Sequence, residues 1–297
     1  MRVRSLPLAG LLLWIAAAAP SAQEQITVLA TVTDPTTKAS VDSVNPADVR
    51  LTEDGMPLKV VRVEPVNRVV KVQVLVDNGL GIGADNIADL RQGLRGLLEA
   101  LPPGVETSVF TTAPQARTLV KPTTDRGALL QGVDRLAPDT GTGRFTESLG
   151  EAAERARRDD EDTFTVIVTA GTTSGDGNVQ DRDVQRLFER LQGRPVMVHV
   201  LLYSGASGRS ITGGQLQTEV GLAATKLTGG RYENINTMSR YVTLMPELGA
   251  EVAQQTAAQA RQFRIVAERA KSGDFGRFGL GVAGKLTTNV SLETQRK

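Results

Sequence analysis

Asp77 ends an apolar run, Val72, Val74, Leu75 and Val76, and opens a glycine-rich turn, Asn78-Gly79-Leu80-Gly81-Ile82-Gly83. A carboxylate there can accept N–H groups of the turn and cap the helix beyond it. The same glycines read as Gly79-x-Gly81-x-x-Ala84, a spacing that admits a pyrophosphate to a helix N-terminus. Two features oppose that nucleotide-dependent alternative. Asp77 would set a negative charge beside the phosphates, and the next apolar run, Val105 to Thr112, ends in no acidic residue for a ribose hydroxyl. Hydrolytic chemistry is poorly served as well. Ser204-Gly205-Ala206-Ser207-Gly208 lacks the Gly-x-Ser-x-Gly spacing, and the sole histidine, His199, lies inside the apolar run Pro195 to Tyr203. A histidine so placed is expected in the core, which leaves a serine without a base. Zinc has no ligand set. No catalysis and no cofactor are expected.

The elements that would position Asp77 are regular. Ile87, Leu90, Leu94, Leu97, Leu98 and Leu101 recur at helical spacing, and Pro102-Pro103-Gly104 stops that helix. Val105–Thr111 and Ala116–Val120 read as a hairpin around Ala113-Pro114-Gln115. Asp125 is placed to cap a helix over Arg126–Leu136. A turn-rich loop, Ala137–Arg144, precedes a helix over Glu147–Arg158, whose charged end is a solvated face. Phe164–Thr169 is a buried strand, followed by a polar loop, Ala170–Asn178. A helix through Val184, Leu187 and Leu191, the strand Pro195–Tyr203 and a loop over Ser204–Gly214 come next. A helix over Val220–Leu227, an edge strand, Arg231–Glu233, and a long helix, Ser239–Gln259, complete the pattern. Strands alternating with helices predict a doubly wound, mostly parallel α/β sheet.

Both flanks read as β. Gln25–Asp34, Val49–Thr52 and Leu58–Val66 precede the α/β body, with Glu53-Asp54-Gly55 as a hairpin turn. Phe263–Val266, Phe278–Val282 and Leu286–Leu292 come after it. Three strands alone are marginal, so the two ends are expected to join into a small antiparallel β domain beside the body. The segments read as 1–22 signal peptide, 23–69 N-terminal β, 70–260 α/β body and 261–297 C-terminal β.

The signal reading rests on Arg2 and Arg4, an apolar stretch from Leu6 to Ala19, and small residues to Ala22. An apolar core of about 14 residues is short for a membrane span. No later run is long enough to span a bilayer, so a periplasmic or secreted chain without a span after cleavage is expected. There is no cysteine, hence no disulfide. The formal net charge of +1 argues against nucleic acid as a partner. Aromatics at 4% give no platform for stacking sugars.

An apolar strand ending in aspartate, then a helix, a hairpin, two helices and a strand ending in Thr-x-Gly resemble a von Willebrand factor A domain. The stretch VTDPTTKASVDSVNPADVRLTEDGMPLKVVRVEPV resembles the β region that precedes this domain in secreted bacterial proteins. The resemblance covers Ile26 to Lys297 and implies a divalent cation held at the strand ends. Its ligands would come from Asp-x-Ser-x-Ser, a threonine on a later loop and the aspartate of Thr-Asp-Gly. Mg²⁺ wants about six oxygen ligands. This chain keeps Asp77, but Gly79 and Gly81 stand at the serine positions. Gly143 stands at the threonine position, beside Thr142, and Ala170 stands at the aspartate position. The expectation is a vestigial site without metal. A substitute site from Asp77, Thr142 and Asp176, with Asp139 close in sequence, is the alternative. The function implied is a non-catalytic interaction or scaffold module. It would meet an unidentified protein partner through strand-end loops carrying Asp77, Asn78, Thr142, Thr172 and Asp176, which are short on hydrophobic anchors.

Overall fold

A computed structural model describes residues 24–292, leaving out 38, 161, 177, 193–194, 206–210 and 270–274. The segment read as a signal peptide and part of the Ser204–Gly214 loop therefore lie outside the described residues.

The α/β body is built on a six-stranded sheet. Its strands are β4 (Val70–Val76), β5 (Glu106–Thr111), β6 (Arg117–Thr123), β7 (Phe164–Thr172), β8 (Val196–Tyr203) and β9 (Tyr232–Ile235). They lie in the order β6-β5-β4-β7-β8-β9. All neighbours are parallel except the β5–β6 hairpin, so the sheet is mixed. β4 is buried on both faces, which explains its unbroken apolar run. Val72, Val74 and Val76 face α1 (Ile87–Ala100) and α6 (Ser239–Ala260). Leu75 faces the other layer, α3 (Phe145–Arg158), α4 (Asp181–Leu191) and α5 (Ile211–Thr228). α2 (Arg126–Asp134) packs on the α1 side through Leu129 and Val133. Its start is fixed by Asp125, whose carboxylate accepts from Ala128 N at 3.2 Å. Asp125→Ala is expected to cost about 1 kcal/mol in chemical denaturation, the usual worth of such a cap.

Glycines let α1 and α6 approach closely. A Cβ at Gly249 would lie 2.6 Å from Leu97 O, and one at Gly93 would lie 2.7 Å from Tyr241 O. Pro246, inside α6, fills the space left by Gly96.

The other six strands form an antiparallel sheet, ordered β11-β2-β3-β10-β1-β12. They are β1 (Glu24–Thr33), β2 (Val49–Glu53), β3 (Met56–Asn67), β10 (Arg261–Arg269), β11 (Phe278–Val282) and β12 (Leu286–Leu292). The two ends of the chain thus build one sheet. β11 and β12 are joined by a tight turn at Gly284 (φ 65°), yet they stand at opposite ends of the strand order. The sheet therefore curls until its edges meet, and Thr287 Oγ1 donates to Leu280 O at 3.1 Å. Its interior is Ile26, Val28, Val32, Leu51, Phe263 and Ile265. The β2–β3 turn needs left-handed backbone at Asp54 (φ 51°) and Gly55 (φ 81°), as the Asp-Gly signal implies. Buried Arg269 ties three strands together, pairing with Glu53 at 2.7 Å and Glu24 at 3.2 Å. α6 passes into β10 without an intervening loop.

Several boundaries differ from the sequence reading. β7 runs to Thr172, so Ala170, Gly171 and Thr172 are strand rather than loop. Pairing on both sides, Val76 with Ala170 and Tyr203 with Thr172, overrides their loop-like composition. α5 starts at Ile211, inside the expected Ser204–Gly214 loop. α3 starts at Phe145, two residues earlier than expected, for a reason found in the site itself.

Candidate functional site

The sheet reverses its winding between β4 and β7, and the carboxyl ends of these strands form the mouth where such folds place their sites. Asp77 leaves β4 there. Its N–H donates to Ala170 O at 2.8 Å across the switch point.

Asp77 is 3% exposed, and both of its oxygens are engaged. Oδ1 accepts from Gly79 N at 2.8 Å, which is the turn role expected of it. Oδ2 accepts from Thr172 Oγ1 at 2.6 Å. Thr172 Oγ1 in turn lies 3.0 Å from Ser174 Oγ. Burial raises the pKa of Asp77, partly offset by the Thr172 and Gly79 hydrogen bonds, and Asp176 adds a like charge.

Asp176 is the second carboxylate of the mouth, 8% exposed and in left-handed backbone at φ 56°. Its Oδ2 accepts from Thr146 N at 2.8 Å and from Thr146 Oγ1 at 2.7 Å. Arg144, the residue before α3, offers no side-chain cap. The cap comes instead from Asp176, thirty residues downstream, and it favours the N-terminal partial charge of the helix. That explains the early start of α3. Burial raises the pKa of Asp176, opposed by the Thr146 hydrogen bonds. A parallel backbone bridge between Gly143 and Gly175 ties the same two loops.

The glycines at the ligand positions are enclosed by protein. A Cβ on Gly81 would overlap the hydroxyls of Ser174 and Thr172. One on Gly79 would overlap Gly141 O and lie 2.8 Å from Ala113 Cβ, and one on Gly143 would overlap the Asp77 carboxylate. Beside Ala170 a void of about 10 Å³ remains, lined by Leu75, Asp77 and Phe145, at most the room of one water. A six-coordinate cation needs several free oxygens around an open centre. Here the one carboxylate at the ligand positions is already hydrogen-bonded twice, so the residues present do not fit the metal that the fold family implies. Of the alternative set, Thr142 and Asp176 line one pocket and Asp77 feels the charge of Asp176. Asp139 is occupied by Gly141 N at 2.8 Å, and among the described residues no three His, Cys, Asp or Glu side chains form a metal-holding group. The N–H groups of Gly79, Leu80, Ile82 and Gly83 donate within the protein, to Asp77 Oδ1, Gly141 O and Gly79 O, so they are not free to cradle a pyrophosphate.

Four of the five residues expected to meet a partner, Asp77, Asn78, Thr172 and Asp176, are buried, while Thr142 is exposed. The buried four hold the loops together beneath an exposed rim. The rim also carries an exposed apolar side chain. Leu80 is 62% exposed, although its N–H is pinned to Gly141 O at 2.9 Å and its neighbour Ile82 is buried. Thr146, Ser174 and Gln217 are missed by the sequence reading, and nothing local in the sequence marks them. His199 is fully buried. Its Nδ1 accepts from Arg231 N at 3.2 Å, so Nε2 carries the proton and donates to Gln255 Oε1 at 3.0 Å. Burial lowers its pKa, and it serves the core.

Because folding raises the pKa of Asp77, its buried carboxyl favours the fold most below the ordinary carboxylate pKa. That contribution is lost as pH rises through the folded value. Asp77→Asn is therefore expected to gain stability relative to the parent as pH rises from about 4 to 7.5. Thermal unfolding of both chains across that range checks it. A difference that is flat, or that moves in the parent's favour, would contradict the account.

The fold of the α/β body is that of a von Willebrand factor A domain. A solved von Willebrand factor type A protein from Catenulispora acidiphila superimposes with a TM-score of 0.52 at 11% identity, covering 92% of this chain and 72% of that one. BatB from Bacteroides thetaiotaomicron gives a TM-score of 0.46 at 16% identity over 62% of this chain and 99% of the other. Manganese-loaded TRAP from Plasmodium vivax gives 0.44 at 18% identity over 73% and 84%. No family model matches the chain, and no curated protein does. No helix among the described residues is long and apolar enough to cross a membrane.

Proposed function

We propose that this chain is an exported, non-catalytic interaction module of von Willebrand factor A type that docks a protein partner through its strand-end rim without metal. The observation that carries this reading is the clasped mouth. Asp77–Thr172, Asp176–Thr146 and the Gly143–Gly175 bridge join the loops directly, where the fold family implies a cation. Exposed Leu80, Thr140, Thr142 and Arg144 on the rim supply one apolar anchor among polar groups, the mixture of a small hot spot and its surround. The N-terminal charge and apolar pattern support export. The sole histidine, held in the core, supports the absence of catalysis.

Capture of partners from an envelope extract tests it. The same proteins should bind the immobilised chain in chelator and in added Mg²⁺, and a Leu80→Glu chain should retain few of them. Capture that requires Mg²⁺ and disappears with chelator would contradict the reading.

A further inference from the structure

Beside the clasped mouth, between α3 and α4, a pocket of about 390 Å³ opens to solvent. That volume lies within the range of small-ligand sites. Thr142, Thr146, Asp176, Asn178, Arg186 and Arg190 are among its lining residues. Its cations are matched. Arg144 pairs with Glu147 at 3.3 Å, Arg190 with Glu154 at 3.4 Å, and Arg186 with Asp183 at 3.9 Å. Asp176 is not matched. Among the described residues no lysine or arginine comes within ion-pair distance of it, and its Oδ1 is buried with no hydrogen-bond partner.

A second observation lies behind the same turn. Gln217 on α5 is 1% exposed, and neither its Nε2 nor its Oε1 has a partner. Its Nε2 is 3.4 Å from the Cβ position of Gly175. The amide is near enough to help hold down the pKa of Asp176, yet it does not reach hydrogen-bond geometry. Buried polar groups nearly always find partners, and an orphaned carboxylate oxygen costs more than a neutral one. Asp176 Oδ1, an unsatisfied acceptor on the wall of an open pocket, calls for a donor, and a positively charged donor would also neutralise Asp176.

We propose that this pocket receives a basic side chain of the protein partner, a lysine ammonium or an arginine guanidinium, with Asp176 as its counter-ion. The proposal rests on the interaction-module reading and gives the partner its chemistry. It reverses the charge of the contact that a bound cation would make, since the fixed group is the anion and the incoming group the cation.

Methylguanidinium chloride is the probe, with equal NaCl as the ionic-strength control and neutral N-methylurea as the isostere. Backbone amide resonances of Thr146 and Asn178 report on the pocket. The expected result is a saturable shift with methylguanidinium, little shift with N-methylurea, and binding at least about tenfold weaker in Asp176→Asn. Asparagine tolerates the left-handed backbone of this position and keeps an acceptor for Thr146. The charged-against-neutral comparison in the parent chain stands even if that variant does not fold. No saturable shift, as with a carboxylate satisfied by water, would overturn the proposal, as would equal binding of the two probes or of the two chains. Such a failure leaves chelator-independent capture intact, whereas Mg²⁺-dependent capture would sink the interaction-module reading whatever the probe does.

Discussion

Gly81→Ser is expected to destabilise the chain by about 3 kcal/mol, near the upper end for forced overpacking, and to confer no Mg²⁺ binding. The substitution restores a hydroxyl at one of the positions where the fold family implies a ligand, so a dormant metal site would respond to it by gaining affinity. In this chain a Cβ at Gly81 falls on the hydroxyls of Ser174 and Thr172. Those hydroxyls are not free to retreat, because Thr172 Oγ1 donates to Asp77 and Ser174 lies in the same hydrogen-bonded group. The added atoms must either break the Asp77–Thr172 clasp, leaving a buried carboxylate oxygen without its donor, or lift the loop that carries Leu80. Chemical denaturation measures the loss, and calorimetric titration with Mg²⁺ tests the second half. A Gly81→Ser chain of parental stability would mean that the mouth is looser than these hydrogen bonds imply.

Gly249→Val is expected to cost about 3 kcal/mol or more, since here the obstruction is backbone. The Cβ would meet Leu97 O at 2.6 Å and Ala100 Cβ at 2.8 Å, and a branched side chain adds two further carbons. α1 and α6 would have to part along the length that buries Leu97, Leu244, Leu248 and Val252. The damage would extend beyond the body. α6 runs directly into β10, which pairs with both β1 and β3 near the middle of the antiparallel sheet. Loss of protection in both sheets together, read by hydrogen exchange, is the expected signature. Protection lost around α1 alone would show that the two sheets are not coupled through this helix.

Much of the α/β body is legible in the sequence because its signals are local. Val72 to Val76 form a run that only a strand covered on both faces tolerates. The leucines of α1 keep helical spacing up to Pro102, and Asp125 sits where a cap belongs. Sheet formation by the two chain ends is also legible, because neither flank offers enough strands to stand alone. What escapes depends on contacts distant in sequence. Gly171 and Thr172 read as loop, yet Ala170 pairs with β4 and Ala170 to Thr172 pair with β8, which keeps them in the sheet. The start of α3 cannot be placed from Arg144 onwards, because its cap is Asp176. The glycines at 79, 81 and 143 read as lost ligands. The structure adds that neighbouring hydroxyls, a carbonyl and a carboxylate fill their space. The loops read as short on hydrophobic anchors, and Leu80 stands exposed on one of them. Its exposure comes from the pinned backbone around it rather than from its type.

Titration of the purified, chelator-treated chain with Mg²⁺ and Mn²⁺, alongside elemental analysis of the chain as isolated, bears most directly on a mouth closed by its own hydrogen bonds. No stoichiometric metal and no saturable heat are expected, in the parent or in Asp77→Asn. One equivalent of either ion, retained through purification or bound on titration and lost in Asp77→Asn, would show that the clasp opens to admit a cation and would contradict the account.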